Sequence, residues 1–551
     1  MPRISGSTLH LLRRLAARPL GRKALWRAIS PDFHFREVMA LPPEARLLLE
    51  DVPAPVRGRA VHGWPDQRCS PPPGGRSSCA ALRAGYASGR ASPSTVLTSI
   101  LDRLAACDFG PATHSPFVTV DEQQARVAAR AADERWRQGR ALGPLDGIPL
   151  PVKDHLDFAG VPTRGGCAYL DQPAERDAFV VARLREAGAV LAAKAHATEC
   201  GLNPLGYSQQ FDLPRNAYAS DRGAGGSSTG SAVAVALGLA PVAVASDGGG
   251  SIRIPACLNG VLGLKPTFAR ISRTGDLWGA STVHHVGAIA SSTADLVDLL
   301  EVASGRDPAD PGTWLAADYP TAPVEWRQAL GRGVGGCRIG VLRSAIAEAA
   351  TPIAQACEAA LSALKREGAE LVDTTLPLFS HASAIGAGII ASEVAANVSD
   401  QAAQYEAHVG DELALLVGLM ESLRAQELLQ LGRTRAALRR QAAAVFTDVD
   451  LLALPVTASG APRYALEGGR TGILDSEAIA AMTRFTFFAN LTGLPACSIP
   501  VGLHEGLPIG LQLVGDAWDE ASVIAAMAHA ERMGLTQIPA SPGWRPLLEG
   551  V

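Results

Sequence analysis

Apolar and polar positions change their spacing several times along this chain, and the changes divide it. From Cys79 to Cys107 apolar residues recur at i, i+3 and i+4, which predicts two amphipathic helices. Ser92 and Ser94 stand near the start of the second, where a hydroxyl can accept from free backbone N–H groups. EQQARVAARAADERWRQGR (122–140) predicts another helix, charged on one face. Strand-like and helix-like runs then alternate. GIPLPVKD (147–154) reads as a short buried strand. AFVVARLREAGAVLAAKA (178–195) reads as helix, stop at Gly188, strand. GSAVAVALGLAPVAVAS (230–246) reads as a helix of small residues followed by a strand. GCRIGVLR (336–343), PIAQACEAALSALKREG (352–368) and AELVDTTLPL (369–378) repeat the strand–helix–strand order. Residues 383–446 read as mainly helical. DVDLLALP (448–455) and LPACSIPVG (494–502) are late strands, and DEASVIAAMAHAERMG (519–534) a closing helix. Such alternation predicts an α/β fold with a covered sheet.

Residues 1–74 depart from that pattern and read as an N-terminal extension, basic and partly helical, ahead of a catalytic domain at 75–551. CSPPPGGRSS (69–78) has linker composition. Before Asp32 the chain carries Arg3, Arg13, Arg14, Arg18, Arg22, Lys23 and Arg27 with no acidic residue, and leucines interleave them. Two readings stand: a solvated basic arm, or an amphipathic helix with weak membrane-surface contact or a targeting role.

Composition narrows the class. Hydrophobic residues are 47% of the 551 and charged ones 19%, a globular balance, and a net charge of −4 does not favour nucleic acid as a partner. Nine scattered cysteines without a C-x-x-C pair argue against a disulfide framework and a zinc site. They suit a cytoplasmic, reducing compartment. The apolar run Ala232–Ala245 is too short to span a bilayer and is broken by Gly238 and Pro241.

The chemistry concentrates in three glycine-rich stretches. SDGGGSIRIP (246–255) sits between apolar runs, so it is a poor flexible linker. It lacks the spacing of a phosphate loop, and Ile-Arg-Ile-Pro is a poor helix start. Consecutive glycines let backbone N–H groups converge on one point, where a developing oxyanion can be held beside Ser251. GAGGSSTGSAVAVALG (223–238) joins glycines to serines and opens a helix. In GPLDGIPLPVKDHLDFAG (143–160), Lys153 stands in an apolar strand, where burial disfavours its charged form and fits it for general-base work. The plainer reading of Lys153 is an edge lysine paired with Asp154 or Asp157.

Taken together, GIPLPVKD, AGAVLAAKAHATECGLN, LPRNAY, the block from Gly223 to Thr267, and FTFFANLTGLPACSIPVG with GLPIGLQLVG resemble the amidase signature family over roughly residues 79–540. The resemblance implies the amidase-signature fold, a mixed central β-sheet covered by helices on both faces. It implies a Ser–cisSer–Lys triad: Ser251 as nucleophile, Ser227 across a cis peptide bond, Lys153 as base. It implies oxyanion N–H groups from Gly248, Gly249, Gly250 and Ser251, and support from Ser228, Asp247 and Arg253. It implies hydrolysis of a carbon–nitrogen amide bond in a small molecule through a seryl acyl-enzyme, with no cofactor and no metal. Ester or carbamate cleavage by the same route, an amidotransferase-type subunit in a complex, and a homodimer stay open. Gly248 stands where many members carry a larger residue, which hints at a roomier approach to the nucleophile.

Lesser candidates have plainer readings. GSSTG (226–230) matches G-x-S-x-G with Ser228 at its centre, but that elbow needs a preceding strand, and YASDRGAG reads as a turn. His155 reads as a packing or substrate-side residue. His196 and Glu199 are too sparse for a metal site. His284 and His285 border the pocket by resemblance. Cys257 and the aromatics of FTFFAN (485–490) read as core, with one aromatic a candidate for the acyl pocket.

Overall fold

A computed structural model describes residues 4–29, 37, 77–278, 281–318, 322–399, 408–420, 422–464 and 473–548. The linker-like stretch at 69–78 lies outside them except for Ser77 and Ser78. Among the described residues thirteen strands are formed: β1 (Ile4–Ser5), β2 (Phe117–Val120), β3 (Val152–Lys153), β4 (Ala193–Ala195), β5 (Val242–Asp247), β6 (Leu262–Lys265), β7 (His285–Ala290), β8 (Arg338–Val341), β9 (Glu370–Asp373), β10 (Leu451–Pro455), β11 (Ile473–Leu474), β12 (Ala496–His504) and β13 (Leu507–Gly515). Eleven build one mixed sheet in the order β2-β4-β3-β5-β7-β6-β12-β13-β10-β8-β9. β3 runs parallel to β4 and β5, and β8 parallel to β9 and β10; the other neighbours are antiparallel.

Every residue of β5, β6, β7 and β13 is buried. A strand buried on both sides reads as a continuous apolar run, and VAVASD and LPIGLQLVG do so because helices cover both faces of the sheet. The Thr229–Ala236 helix has all eight residues buried and is built from small side chains, which lets it press close to β5. Sequence and structure differ at Ile252–Pro255: a short helix, Arg253–Leu258, starts there. Pro255 lies in its first turn, where no intrahelical N–H is required, and the Asp247 carboxylate accepts the Ile252 N–H at 3.1 Å.

Residues 4–29 dock on the body. β1 pairs with β11. The Gly6–Ala16 helix buries Leu9 and Ala16 in a cluster with Leu415 and Leu419, and Arg13 bonds Asp411 at 3.0 Å. Leu11, Leu15 and Leu20 stay exposed beside Arg14, Arg18 and Lys23. Among the described residues no helix is long and apolar enough to cross a membrane.

Candidate active site

The parallel neighbours β3 and β5 end side by side, with Val152 opposite Val244. Lys153 closes β3 and Asp247 closes β5, so both lie at the carboxyl ends of the strands, the usual place for a site in a sheet of this type. Lys153 is fully buried. Its Nζ donates to Ser227 Oγ at 2.7 Å and to the Ser246 carbonyl at 3.3 Å. Burial pulls its pKa down to about 7, against the opposing pull of Asp276 and Asp247. Asp154 is not its partner: that carboxylate pairs with Lys194 at 3.1 Å. The amine is thus spent on a serine and a carbonyl rather than on an ion pair.

Ser227 follows a cis Gly226–Ser227 peptide and precedes the Thr229–Ala236 helix. Ser228, beside it, ties the two serine segments together. Its N–H donates to the Ser251 carbonyl at 3.2 Å and its hydroxyl to the Ser246 carbonyl at 3.0 Å. Ser251 is half-buried and shares a cavity with Ser227 and Gly248.

The loop from Asp247 to Arg253 is fixed by a buried ion pair. Arg253 donates to both Asp247 carboxylate oxygens, at 2.9 and 3.0 Å, and to the Thr486 carbonyl, Gln512 and Asn490. Asn490 returns its amide to the Asp247 carbonyl and carboxylate at 2.8 and 2.9 Å. Burial alone would raise the Asp247 carboxyl, but the charge and hydrogen bonds of Arg253, with Lys265 and Asn490, together outweigh it and hold the group well below the usual carboxylate range. The carboxylate also accepts the Gly250 N–H at 2.6 Å. That donor, expected at the oxyanion, is therefore a brace of the loop. The N–H groups of Gly248, Gly249 and Ser251 are bonded to no group among the described residues.

Glycine is required across the loop. A Cβ on Gly249 would lie 2.5 Å from the Phe487 ring, and Gly250 has φ +125° with the Thr486 hydroxyl 2.5 Å from where its Cβ would be. At Gly248 the missing side chain does not widen the approach. The end of Ile390 lies 2.7 Å from the Cβ position and takes up that space.

His155, Asp276 and His284 bring ligand-type atoms within 4.8 Å of one another. Three such donors are what a metal ion would need, but His284 Nε2 is already bonded to Asp276 at 3.0 Å. His155 and His284 line the cavity that Ser227 and Ser251 share, whereas His285 is not part of its wall and has Nδ1 on the Val283 carbonyl. His196 and Glu199 stand elsewhere: Glu199 accepts the Gly410 N–H at 2.9 Å, and burial raises its pKa to about 7. Cys257 is buried core, as are Phe485 and Phe488, while Phe487 lines a second cavity beside Ser251. Sequence reasoning did not single out Thr486, Gln512, Asp276 or Glu412. Thr486 and Gln512 are buried and far along the chain from the glycine loop, each a lone polar letter in an apolar run, while nothing local marks Asp276 or Glu412.

Comparison with known proteins gives the family and the fold. A family model described as Amidase matches residues 95–524. The chain is 36% identical over 476 residues to a glutamyl-tRNA(Gln) amidotransferase subunit of Chloroflexus aurantiacus, covering 81% of this chain and 94% of that one. It is 31% identical over 454 residues to fatty acid amide hydrolase of Medicago truncatula, covering 81% and 75%. The crystal structure of a bacterial aryl acylamidase of the amidase signature family superimposes with a TM-score of 0.74 at 25% identity, covering 84% and 96%.

Proposed function

The chain belongs to the amidase family, and we propose that it hydrolyses the carbon–nitrogen bond of a small-molecule amide through an acyl-enzyme on Ser251. One observation carries the reading: buried Lys153 donates to Ser227 Oγ at 2.7 Å, and Ser227 opens onto the same cavity as Ser251. In this reading neutral Lys153 takes the proton that Ser251 releases, relayed by Ser227. The Ser251 oxygen bonds to the carbonyl carbon, and the developing oxyanion is met by the N–H groups of Gly249 and Ser251 and, from its flank, Gly248. As the C–N bond breaks, the proton returns through Ser227 to the leaving nitrogen. Water repeats the sequence on the ester and releases the acid. Asp247, Arg253 and Ser228 hold the loop and do not touch the substrate.

Residues 75–551 act in this account as one catalytic domain. An ester or carbamate would follow the same route. The reading as part of an amidotransferase complex is less favoured, because the larger cavity at Ser251 is mostly apolar, with Ile254, Ile390, Leu416, Met420 and Phe487 in its wall beside the polar Glu412, Thr483 and Arg484, and a polar acyl group would lose most of its hydration there. The test is turnover of amide, ester and carbamate panels by the purified chain alone, without tRNA or other proteins, with Ser251→Ala as the blank. Hydrolysis lost in that variant supports the reading, and no hydrolysis by the wild type overturns it.

A further inference from the structure

Ser251 stands where two unequal cavities meet, with Gly201 and Ile390 lining both. The larger has a volume of about 170 Å³ and a mostly apolar wall, interrupted by Glu412, Arg484 and a few hydroxyls, with room for a benzyl group or a short alkyl chain. The smaller has a volume of about 20 Å³, room for about one water-sized group. Its wall is mixed: His155, His284, Glu393 and Asn397 stand beside Trp278 and Val394. Ser227 opens onto the smaller cavity alone, and Gly249 onto the larger alone.

The reaction proposed above assigns the two ends of the substrate to these cavities. The leaving nitrogen takes its proton from Ser227 Oγ and so lies within hydrogen-bond reach of it, in the smaller cavity. The acyl group then extends into the apolar one. We infer that the enzyme is selective for primary carboxamides, RCONH2 with an apolar R, and releases ammonia; this rests on the acyl-enzyme reading.

A primary amide carries two N–H bonds on its nitrogen, and the cavity supplies a partner for both. Ser227 Oγ can accept one. His155 is fully buried, and neither ring nitrogen has a partner among the described residues. Burial, with Lys153, His284 and Lys194 adding to it, keeps the imidazole neutral, so one ring nitrogen offers a lone pair. His284 stacks on it with ring centroids 6.3 Å apart and is itself held by Asp276. Once ammonia has left, the same space admits the water that cleaves the ester. Its oxygen bonds to the acyl carbon, its proton passes to Ser227 and Lys153, and Ser251 recovers its own.

The test is a matched series on the full chain: phenylacetamide, its N-methyl amide and its anilide, followed by product release. The expected kcat/KM for the primary amide exceeds that of either N-substituted amide by more than tenfold. His155→Ala removes the lone pair and widens the cavity, so it lowers kcat/KM for the primary amide and narrows its lead over the N-methyl amide. If that variant does not fold, His155→Asn or the wild-type series alone decides. An N-substituted amide within tenfold of the primary amide overturns the inference, as does an unchanged ratio in a folded His155 variant. A fluorophosphonate, whose fluoride fits the small cavity, separates the two failures. An adduct on Ser251 together with preferred or exclusive turnover of N-substituted amides, or no turnover of the series, sinks the leaving-group assignment alone. No adduct on Ser251 sinks the acyl-enzyme reading.

Discussion

Replacing Lys153 with Met should destroy activity and stabilise the protein, and both effects can be sized. The side chains are similar in length, so the packing against β5 changes little. Folding carries Lys153 from a pKa of 10.5 to about 7. That difference sets a ceiling of roughly 5 kcal/mol on the cost of burying the charge. The sign follows from proton uptake. Between pH 7 and 10.5 the unfolded chain binds the extra proton, so the penalty is full below about pH 7 and fades as the pH rises. Against the gain stand two hydrogen bonds, each worth about 1 kcal/mol net. The Ser246 carbonyl keeps a donor in Ser228 Oγ at 3.0 Å. A net stabilisation of about 1–3 kcal/mol is expected at pH 6 and much less at pH 9.5, or a rise in Tm of about 2–4 °C at the lower pH. Loss of a general base costs about 10²–10⁴ in kcat. Thermal melts at the two pH values, with amide turnover on the same samples, give both readings. A variant that melts several degrees lower at pH 6, or retains more than a tenth of wild-type kcat, refutes the reasoning.

Other substitutions separate the roles around the loop. Ser251→Ala should abolish turnover while Ser228→Ala leaves a substantial fraction, and the reverse in a steady-state amide assay would return the nucleophile to the G-x-S-x-G serine. Arg253→Lys cannot keep both bonds to Asp247 together with those to Asn490 and Thr486. It should cost about 3–5 kcal/mol in a denaturant titration, as breaking a buried pair does, and a loss under 1 kcal/mol would contradict the bracing role. Gly249→Ala places a Cβ 2.5 Å from the Phe487 ring and should cost about 1–3 kcal/mol of stability by overpacking, read from the same titration. Burial raises Glu412 to about 8, so its charging penalises the fold increasingly as pH rises from the ordinary carboxylate range to 8. Glu412→Gln should therefore raise Tm more at pH 8.5 than at pH 5.5, and an equal change at both would count against that burial.

The order of strands and helices was legible because apolar spacing switches sharply at Gly188, Gly238 and Pro241, where the backbone must turn. The three candidate catalytic positions were legible because glycines and serines in an apolar setting have few other uses, and because the resemblance put Lys153, Ser227 and Ser251 in one site. What was not legible depends on contacts across the chain. Nothing in DGGGS says that the Gly250 N–H is taken by Asp247, or that Ile390, 142 residues after Gly248, fills the room a glycine leaves. Asn490 reads as one polar letter among phenylalanines, and only the fold sets it on the Asp247–Arg253 pair. The basic leucine-rich start reads as an arm, yet Leu9 and Ala16 pack into the body because the Asp411–Met420 helix offers an apolar face and Asp411 a charge for Arg13.

The central claim is that Ser251 is the nucleophile and that neutral Lys153 activates it through Ser227. The most direct measurement is the rate at which a fluorophosphonate adduct forms, mapped to its residue by peptide mass spectrometry, between pH 5 and 9. The account predicts an adduct on Ser251 whose rate climbs with pH to a plateau through a midpoint near 7, where Lys153 loses its proton, and a flat, far slower rate in Lys153→Met. An adduct on Ser228 or elsewhere, or the same pH profile in the variant, would contradict it.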